Sequence, residues 1–327
     1  MMQLEEFIAE WRNDSPTLLV HTSGSTGKPK PLLVEKRRME ASARITCRFL
    51  GLREGNTALL CMPLDYIAGK MMVVRALTCG LRLISVAPTG TPVWNEPVDF
   101  AAMVPLQVWN LLHDEAGRKR LMALKNLIIG GGAIDGALSA ELRSFPNAVW
   151  STYGMTETLS HVALRRLSGK DASDFYTPFE GVTVGLSDDG CLVIDAPQVC
   201  TSTLVTNDLA ELAPDGRRFR IVGRKDNVVQ SGGIKLQIEQ LEQRLHEHLP
   251  VPFMLTKRSD AKFGEVLVML VETTDAASAL PLCRDCCEQW LGKYERPRVY
   301  LPVARLPLTA TGKPARAEAM RIAENGR

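Results

Sequence analysis

Residues 21–30, HTSGSTGKPK, gather the side chains that hold an anion. Glycine lets backbone N–H groups approach a phosphate closely, the hydroxyls of Thr22, Ser23, Ser25 and Thr26 add short donors, and Lys28 adds a charge. The spacing differs from the common nucleotide loop, which needs four residues between its glycines and a hydroxyl after its lysine. Here Gly24 and Gly27 enclose two residues, and Pro29 follows Lys28. The proline opposes a helix start at Lys28, and ordinary turns rarely need so long a run of this composition. Anion binding is the chemistry this stretch predicts.

Four further places carry reactive groups. In YGMTET, residues 153–158, Tyr153 offers a ring to stack on a base, Gly154 a flexible backbone, Thr156 a hydroxyl and Glu157 a carboxylate for a hard cation such as Mg²⁺. In isolation the same residues also make a turn into a helix capped by Thr156 or Glu157. Asp208 in TND, Arg224 in GRKD and Lys313 in PLTATGKPAR are single charges near turns. The Cys283, Cys286, Cys287 cluster lies in a predicted helix with no second ligand pair at zinc spacing, so a structural role is expected. His246 and His248 stand two apart and cannot share a helix face.

The elements that would position these groups follow from periodicity. Residues 18–20 and 32–34 read as strands, which places the anion loop across a hairpin. Beyond it come a helix over 35–50, a strand over 57–62, a strand over 81–86, a helix over 101–112, a strand over 126–129, a helix over 138–144 and a strand over 148–150. This alternation predicts a parallel α/β sheet with ligands at the carboxyl ends of its strands. Residues 181–222 change to short strands between turns, an antiparallel β subdomain. An amphipathic helix with Ile238, Leu241 and Leu245 on one face then opens a small α+β domain. The expected division is residues 1–223 and 224–327.

The chain has 327 residues, 45% of them hydrophobic and 23% charged, the proportions of a globular protein of about two domains. Its 39 basic and 37 acidic side chains leave a net charge of +2, with no footprint for nucleic acid or an anionic membrane. There is no signal-like segment and no apolar run of membrane-spanning length, so a cytoplasmic location is expected.

The anion loop, YGMTE, T-x-D, GRxD and the terminal TGK, in this order, together resemble the adenylate-forming acyl-CoA ligase superfamily over nearly the whole chain. The resemblance implies that fold, with an N-terminally shortened large α/β domain, the antiparallel β subdomain and a small mobile α+β C-terminal domain. It implies ATP and coenzyme A as co-substrates and Mg²⁺ as cofactor. Thr22, Ser23, Gly24, Ser25, Thr26, Gly27 and Lys28 would wrap the β- and γ-phosphates. Gly132 and Ala133 would lie against adenine with Tyr153 and Gly154, and Thr156 would meet the α-phosphate. Glu157 would hold Mg²⁺, Asp208 and Arg224 the ribose hydroxyls, and Lys313 would be the catalytic lysine. A hinge at Asp226 would present Ser231, Gly232 and Gly233 toward the path of the CoA thiol. The T-G-D usual at the ribose site is here Thr206, Asn207, Asp208, and Ile134 stands where a proline often follows the adenine-site Gly-Ala.

Residues 63–77, PLDYIAGKMMVVRAL, resemble the P-[LI]-x-H-[IV]-S-G segment of o-succinylbenzoate:CoA ligases of menaquinone biosynthesis, which carry a basic residue six positions after the glycine. Here Arg75 stands six after Gly69, and Tyr66 replaces the histidine. An arginine in an apolar helix needs a partner, and the second carboxylate of a dicarboxylic aromatic acid would be one; the surface or a protein carboxylate are the alternatives. The expected partners are a small carboxylic acid, ATP and CoA, with a homodimer also expected, and no nucleic acid or membrane. Another aryl- or acyl-CoA ligase, a stand-alone adenylation enzyme loading a carrier protein in place of CoA, and a non-catalytic nucleotide-binding module are the rival readings.

Overall fold

The computed structural model describes residues 2–21, 31–132, 134, 136–309 and 314–326. The chain divides into two compact units, the first Met1–Ser187, Val193–Thr206 and Leu212–Arg220, the second Asp188–Leu192, Asn207–Glu211 and Ile221–Arg327.

In the first unit, helix α1 (Leu4–Arg12) precedes strands β1 (Thr17–His21) and β2 (Pro31–Glu35), which pair antiparallel with Leu18 opposite Val34. This is the hairpin expected on either side of the anion loop. Next come α2 (Lys36–Phe49), β3 (Thr57–Leu60), α3 (Ile67–Cys79), β4 (Arg82–Ser85), β5 (Phe100–Met103), α4 (Pro105–Leu112), α5 (Glu115–Ala123), β6 (Asn126–Ile129), α6 (Gly136–Leu142), β7 (Ala148–Gly154), β8 (His161–Arg166) and β9 (Thr177–Pro178). They build a seven-stranded sheet in the order β4-β3-β5-β6-β7-β8-β9. β4 to β7 run parallel, while β8 and β9 are antiparallel additions.

One expected element is wrong: residues 101–112 are not a single helix. Phe100, Ala101, Ala102 and Met103 are all buried as β5, between β3 and β6, and the helix begins only at Pro105. A short apolar run has no period that separates strand from helix, and Pro105, preorganised for the first helical position, marks the real start. The strand expected at residues 148–150 also runs on to Gly154, pairing with β8 along the way. The core of this layer sets Leu59, Ala101, Leu127 and Val149 of the strands against Val108 of α4 and Leu121 of α5.

Strands β10 (Thr183–Leu186), β11 (Cys191–Asp195), β12 (Leu204–Leu212) and β13 (Phe219–Arg224) form a four-stranded sheet in chain order.

In the second unit, β14 (Val228–Ser231) and β15 (Ile234–Gln237) make a hairpin, followed by α7 (Ile238–His246), β16 (Phe253–Asp260), β17 (Gly264–Glu272), α8 (Ala276–Trp290), β18 (Val299–Val303) and α9 (Arg316–Asn325). Its sheet runs β15-β14-β17-β16, with β18 parallel to β17. Leu241 and Leu245 of α7 and Cys283 and Cys287 of α8 share one core cluster with Leu255 and Leu267. Ala319 and Ala323 of α9 pack with Val268 and Leu270 in another.

Candidate active site

The carboxyl ends of β3, β5, β6 and β7 carry the first unit's candidate residues. After β6, Gly130 lies so close to β7 that a Cβ there would sit 2.3 Å from Thr152 Oγ1, and Gly131 has φ +80°. Gly132 follows, while Ala133 lies outside the described residues. Gln107 of α4 is buried and ties the neighbouring strand ends together, its amide donating to the Cys61 carbonyl at 2.9 Å and the Thr89 carbonyl at 2.8 Å.

Tyr153 and Gly154 end β7, where the pairing with β8 shifts register. The Tyr153 ring packs edge-on against Phe219 at 5.1 Å and tilted against Tyr176 at 5.8 Å. A Cβ at Gly154 would meet the Ser160 carbonyl oxygen at 2.3 Å, so glycine is required there by close backbone approach as well as by any ligand. Thr156, Glu157 and Thr158 form a 3₁₀ turn. Thr158 closes it: its hydroxyl accepts from the Met155 N–H at 2.9 Å and lies 2.6 Å from the Ser160 carbonyl. Thr156 is buried and Glu157 exposed. Leu159, buried, is the described non-glycine residue with positive φ, +64°. A bulky side chain in that region is strained, and strain of this kind gathers at functional loops.

The acid-site candidates lie on α3. Tyr66 caps its N-terminus and is 40% exposed. Gly69 is pressed on the preceding turn, where a Cβ would lie 2.2 Å from the Pro63 carbonyl oxygen. Arg75 is 2% exposed. Its Nη2 donates to Ser160 Oγ at 2.6 Å and its Nη1 reaches Met72 Sδ at 3.7 Å, while Nε has no hydrogen-bond partner. It is buried rather than at the surface, and among the described residues no carboxylate pairs with it. Burial draws its pKa down to about 10, with the Cys47 and Cys79 thiols opposing, and the guanidinium stays charged at neutral pH. Nothing in the sequence pointed to Ser160 as its partner, because 85 positions separate them and only folding joins them.

In the second unit Arg224 gathers the ribose-site candidates. Its Nη1 meets Asp208 Oδ1 at 2.9 Å and its Nη2 meets Asp226 Oδ2 at 3.1 Å. Burial works against the charge, but Asp208 and then Asp226 outweigh it and raise the Arg224 pKa. Gln237 donates to the Arg224 carbonyl at 3.2 Å, and a Cβ at Gly223 would collide with the same amide at 2.1 Å. Ser231 ends β14, and Gly232 and Gly233, at φ +58° and +86°, make the turn into β15.

The anion loop, Thr22, Ser23, Gly24, Ser25, Thr26, Gly27 and Lys28, and the terminal Lys313 lie outside the described residues. Their flanks do not. Leu308 bridges to Pro314, and Arg316 makes a two-point pair with Glu242, at 2.8 Å and 2.5 Å, while donating to the Leu255 carbonyl at 2.7 Å. This pair anchors the chain three residues beyond Lys313. Among the described residues no group of three or more His, Cys, Asp or Glu is placed to hold a metal, and Cys283, Cys286 and Cys287 are buried free thiols, as expected of a structural role.

The family model "AMP-binding enzyme" matches residues 4–197 of this chain. The chain belongs to the AMP-binding enzyme family. An acyl-CoA synthetase (AMP-forming)/AMP-acid ligase II-like protein from Dyadobacter fermentans is 34% identical, with 96% of this chain and 92% of that one covered and a TM-score of 0.65. The 2-succinylbenzoate–CoA ligase of Bacillus cereus is 25% identical over 96% of this chain and 72% of its own length. The o-succinylbenzoate CoA synthetase (MenE) of Bacillus subtilis, solved with its acyl-adenylate intermediate, superposes with a TM-score of 0.76 at 23% identity, over 92% of this chain and 68% of that one; that likeness speaks to the fold. The adenylate-forming ligase fold expected from the motifs is therefore present, and the chain is an AMP-forming acyl-CoA synthetase, an acid–thiol ligase of an ATP-utilising family. Among the described residues no helix is long and apolar enough to cross a membrane.

Proposed function

We propose that this ligase activates o-succinylbenzoate, or an aromatic dicarboxylic acid very like it, to an acyl-adenylate and transfers the acyl group to coenzyme A. The observation that carries the reading is Arg75, a buried guanidinium that has, among the described residues, an unpartnered Nε and only the Ser160 hydroxyl as a close oxygen acceptor. An uncompensated charge in an apolar helix is costly, and a second carboxylate on the substrate would offset that cost with charge-assisted hydrogen bonds. The names of the Bacillus relatives support the same acid.

The remaining roles are part of the proposal. The substrate carboxylate is a weak nucleophile facing a polyanion, so charge must be neutralised at the α-phosphate as the transition state forms. Lys28 and the loop from Thr22 to Gly27 would hold the β- and γ-phosphates, Thr156 would donate to the α-phosphate, and Lys313 would supply mobile positive charge. Glu157, an exposed carboxylate with no ion pair among the described residues, is the hard oxygen donor that suits Mg²⁺, which when bound would shield the phosphate charges. Gly132, Ala133, Tyr153 and Gly154 would enclose adenine, and Asp208 and Arg224 would take the ribose hydroxyls. Tyr66 and Gly69 would shape the acid pocket. Rotation at Asp226 would exchange Lys313 for Ser231, Gly232 and Gly233 before the thiol attacks. A homodimer and a cytoplasmic location complete the reading.

Pyrophosphate release measured with ATP over a panel of carboxylic acids tests the proposal. The expected best substrate is o-succinylbenzoate, with thioester formed on free CoA. A monocarboxylic acid used with higher kcat/KM would remove the argument from Arg75, and acyl transfer to a carrier protein alone would replace CoA as the acceptor.

A further inference from the structure

Behind Arg75 the hydrogen bonds continue as a single chain whose donors can be assigned. Thr46 of α2 gives its hydroxyl proton to the Ser42 carbonyl, 3.0 Å away and one turn back. A hydroxyl has one proton, so the 3.1 Å contact between Thr46 Oγ1 and His161 Nε2 must be donated by the ring. A neutral imidazole with its proton on Nε2 carries a lone pair on Nδ1. That atom lies 3.2 Å from Ser160 Oγ and takes the serine's proton. The serine's lone pairs then face the 2.6 Å bond from Arg75 Nη2. From Arg75 through Ser160, His161 and Thr46 to Ser42, every donor points the same way.

Burial, and after it the charge of Arg75, hold His161 well below its ordinary pKa, so the ring stays in the neutral form this order needs. The main chain fixes Ser160 as well, because the Thr158 hydroxyl donates to its carbonyl oxygen at 2.6 Å.

We infer that His161, locked as the Nε2–H tautomer by Thr46, is the positioning residue that fixes the Ser160 hydroxyl and, through it, the aim of the Arg75 guanidinium. The inference rests on the acid-binding role of Arg75 proposed above. Without an acceptor at Nδ1 the serine hydroxyl is free to turn, and Arg75 loses a partner of defined orientation. The loss should fall on the dicarboxylic acid and spare ATP.

Two variants and one spectroscopic measurement test this. His161→Leu removes both ring nitrogens, whereas His161→Asn restores an acceptor near the Nδ1 position. In pyrophosphate release with o-succinylbenzoate, His161→Leu is expected to raise the KM for the acid about tenfold, the worth of roughly one charge-assisted hydrogen bond, and to leave the KM for ATP within about twofold. His161→Asn should recover most of the difference. Independently of activity, the imidazole ¹⁵N shifts of the full-length wild-type chain should show a protonated Nε2 and a bare Nδ1. A protonated Nδ1, equal defects in the Leu and Asn variants, or KM values for acid and ATP that rise together with a falling Tm would each overturn the inference. If Arg75→Met raises the KM for the acid and His161→Leu does not, the positioning role fails while the acid-site reading stands. If neither variant moves it, the acid-site reading fails and the inference with it.

Discussion

Arg75 carries its charge into a helix whose neighbouring side chains, Met71, Met72, Val73, Val74 and Ala76, are all buried. Its value to the fold and its value to the chemistry should therefore separate. Replacing a buried, uncompensated charge with an apolar side chain of similar volume is often neutral or stabilising. Arg75→Met is expected to keep or raise the Tm while raising the KM for a dicarboxylic acid about 10- to 100-fold, the range for losing ~1.5–3 kcal/mol of charge-assisted hydrogen bonding. Calorimetry alongside acid-dependent kinetics checks both halves, and a loss of stability comparable to the loss of binding would make Arg75 structural. One turn further along α3, the neighbouring Cys47 thiol, together with the Arg44 and Arg75 guanidiniums, draws the Cys79 thiol below its ordinary pKa against its burial. The other seven cysteines are buried. Iodoacetamide should thus label Cys79 first, and faster as the pH rises and its thiolate fills, and peptide mapping would show it. The position of Arg75 was legible in sequence because a charge interrupts an apolar helix; its partners were not, since Ser160, His161 and Thr46 meet it only through the packing of β8 and α2.

Elements place these residues by close approach at glycine. At Gly69 and Gly154 an added Cβ would lie 2.2 Å and 2.3 Å from backbone carbonyl oxygens, and backbone cannot swing aside as a flexible side chain can. Gly69→Ala and Gly154→Ala should each cost about 1–3 kcal/mol and lower the Tm by several degrees. Urea unfolding of the two variants measures this, with Gly185→Ala, where nothing lies within 4 Å, as the tolerant control. The long periodic helices were readable for the same reason that they are stable, a repeating apolar face; α2 falls within a residue of its expected span at each end. Short buried strands such as β5 were not, because four apolar residues carry no period. The strands β14 and β15 are as hard to read: each buries one residue, Val229 and Leu236, too few to show a period.

Across the whole molecule, the motifs fall into both compact units, with YGMTE and the acid-site helix in the first and Asp208, Arg224 and the flanks of Lys313 in the second. That order of motifs made the family legible. A two-step ligase needs positive charge at the α-phosphate only while the adenylate forms, because the later attack by a thiol expels AMP and builds no new charge on pyrophosphate. Lys313 should therefore serve the first half-reaction alone. The bidentate Arg316–Glu242 pair anchors the segment that follows, so its alanine variant should leave the second unit folded. Lys313→Ala is expected to slow pyrophosphate formation by about 10²- to 10³-fold, the scale for removing one preorganised charge from a transition state. Thioester formation from supplied acyl-adenylate and CoA should stay within a few-fold of wild type. Rapid-quench assays of the two half-reactions resolve the difference, and an equal loss in both would mean that Lys313 acts at a step common to them, so that a single fixed site performs the whole reaction.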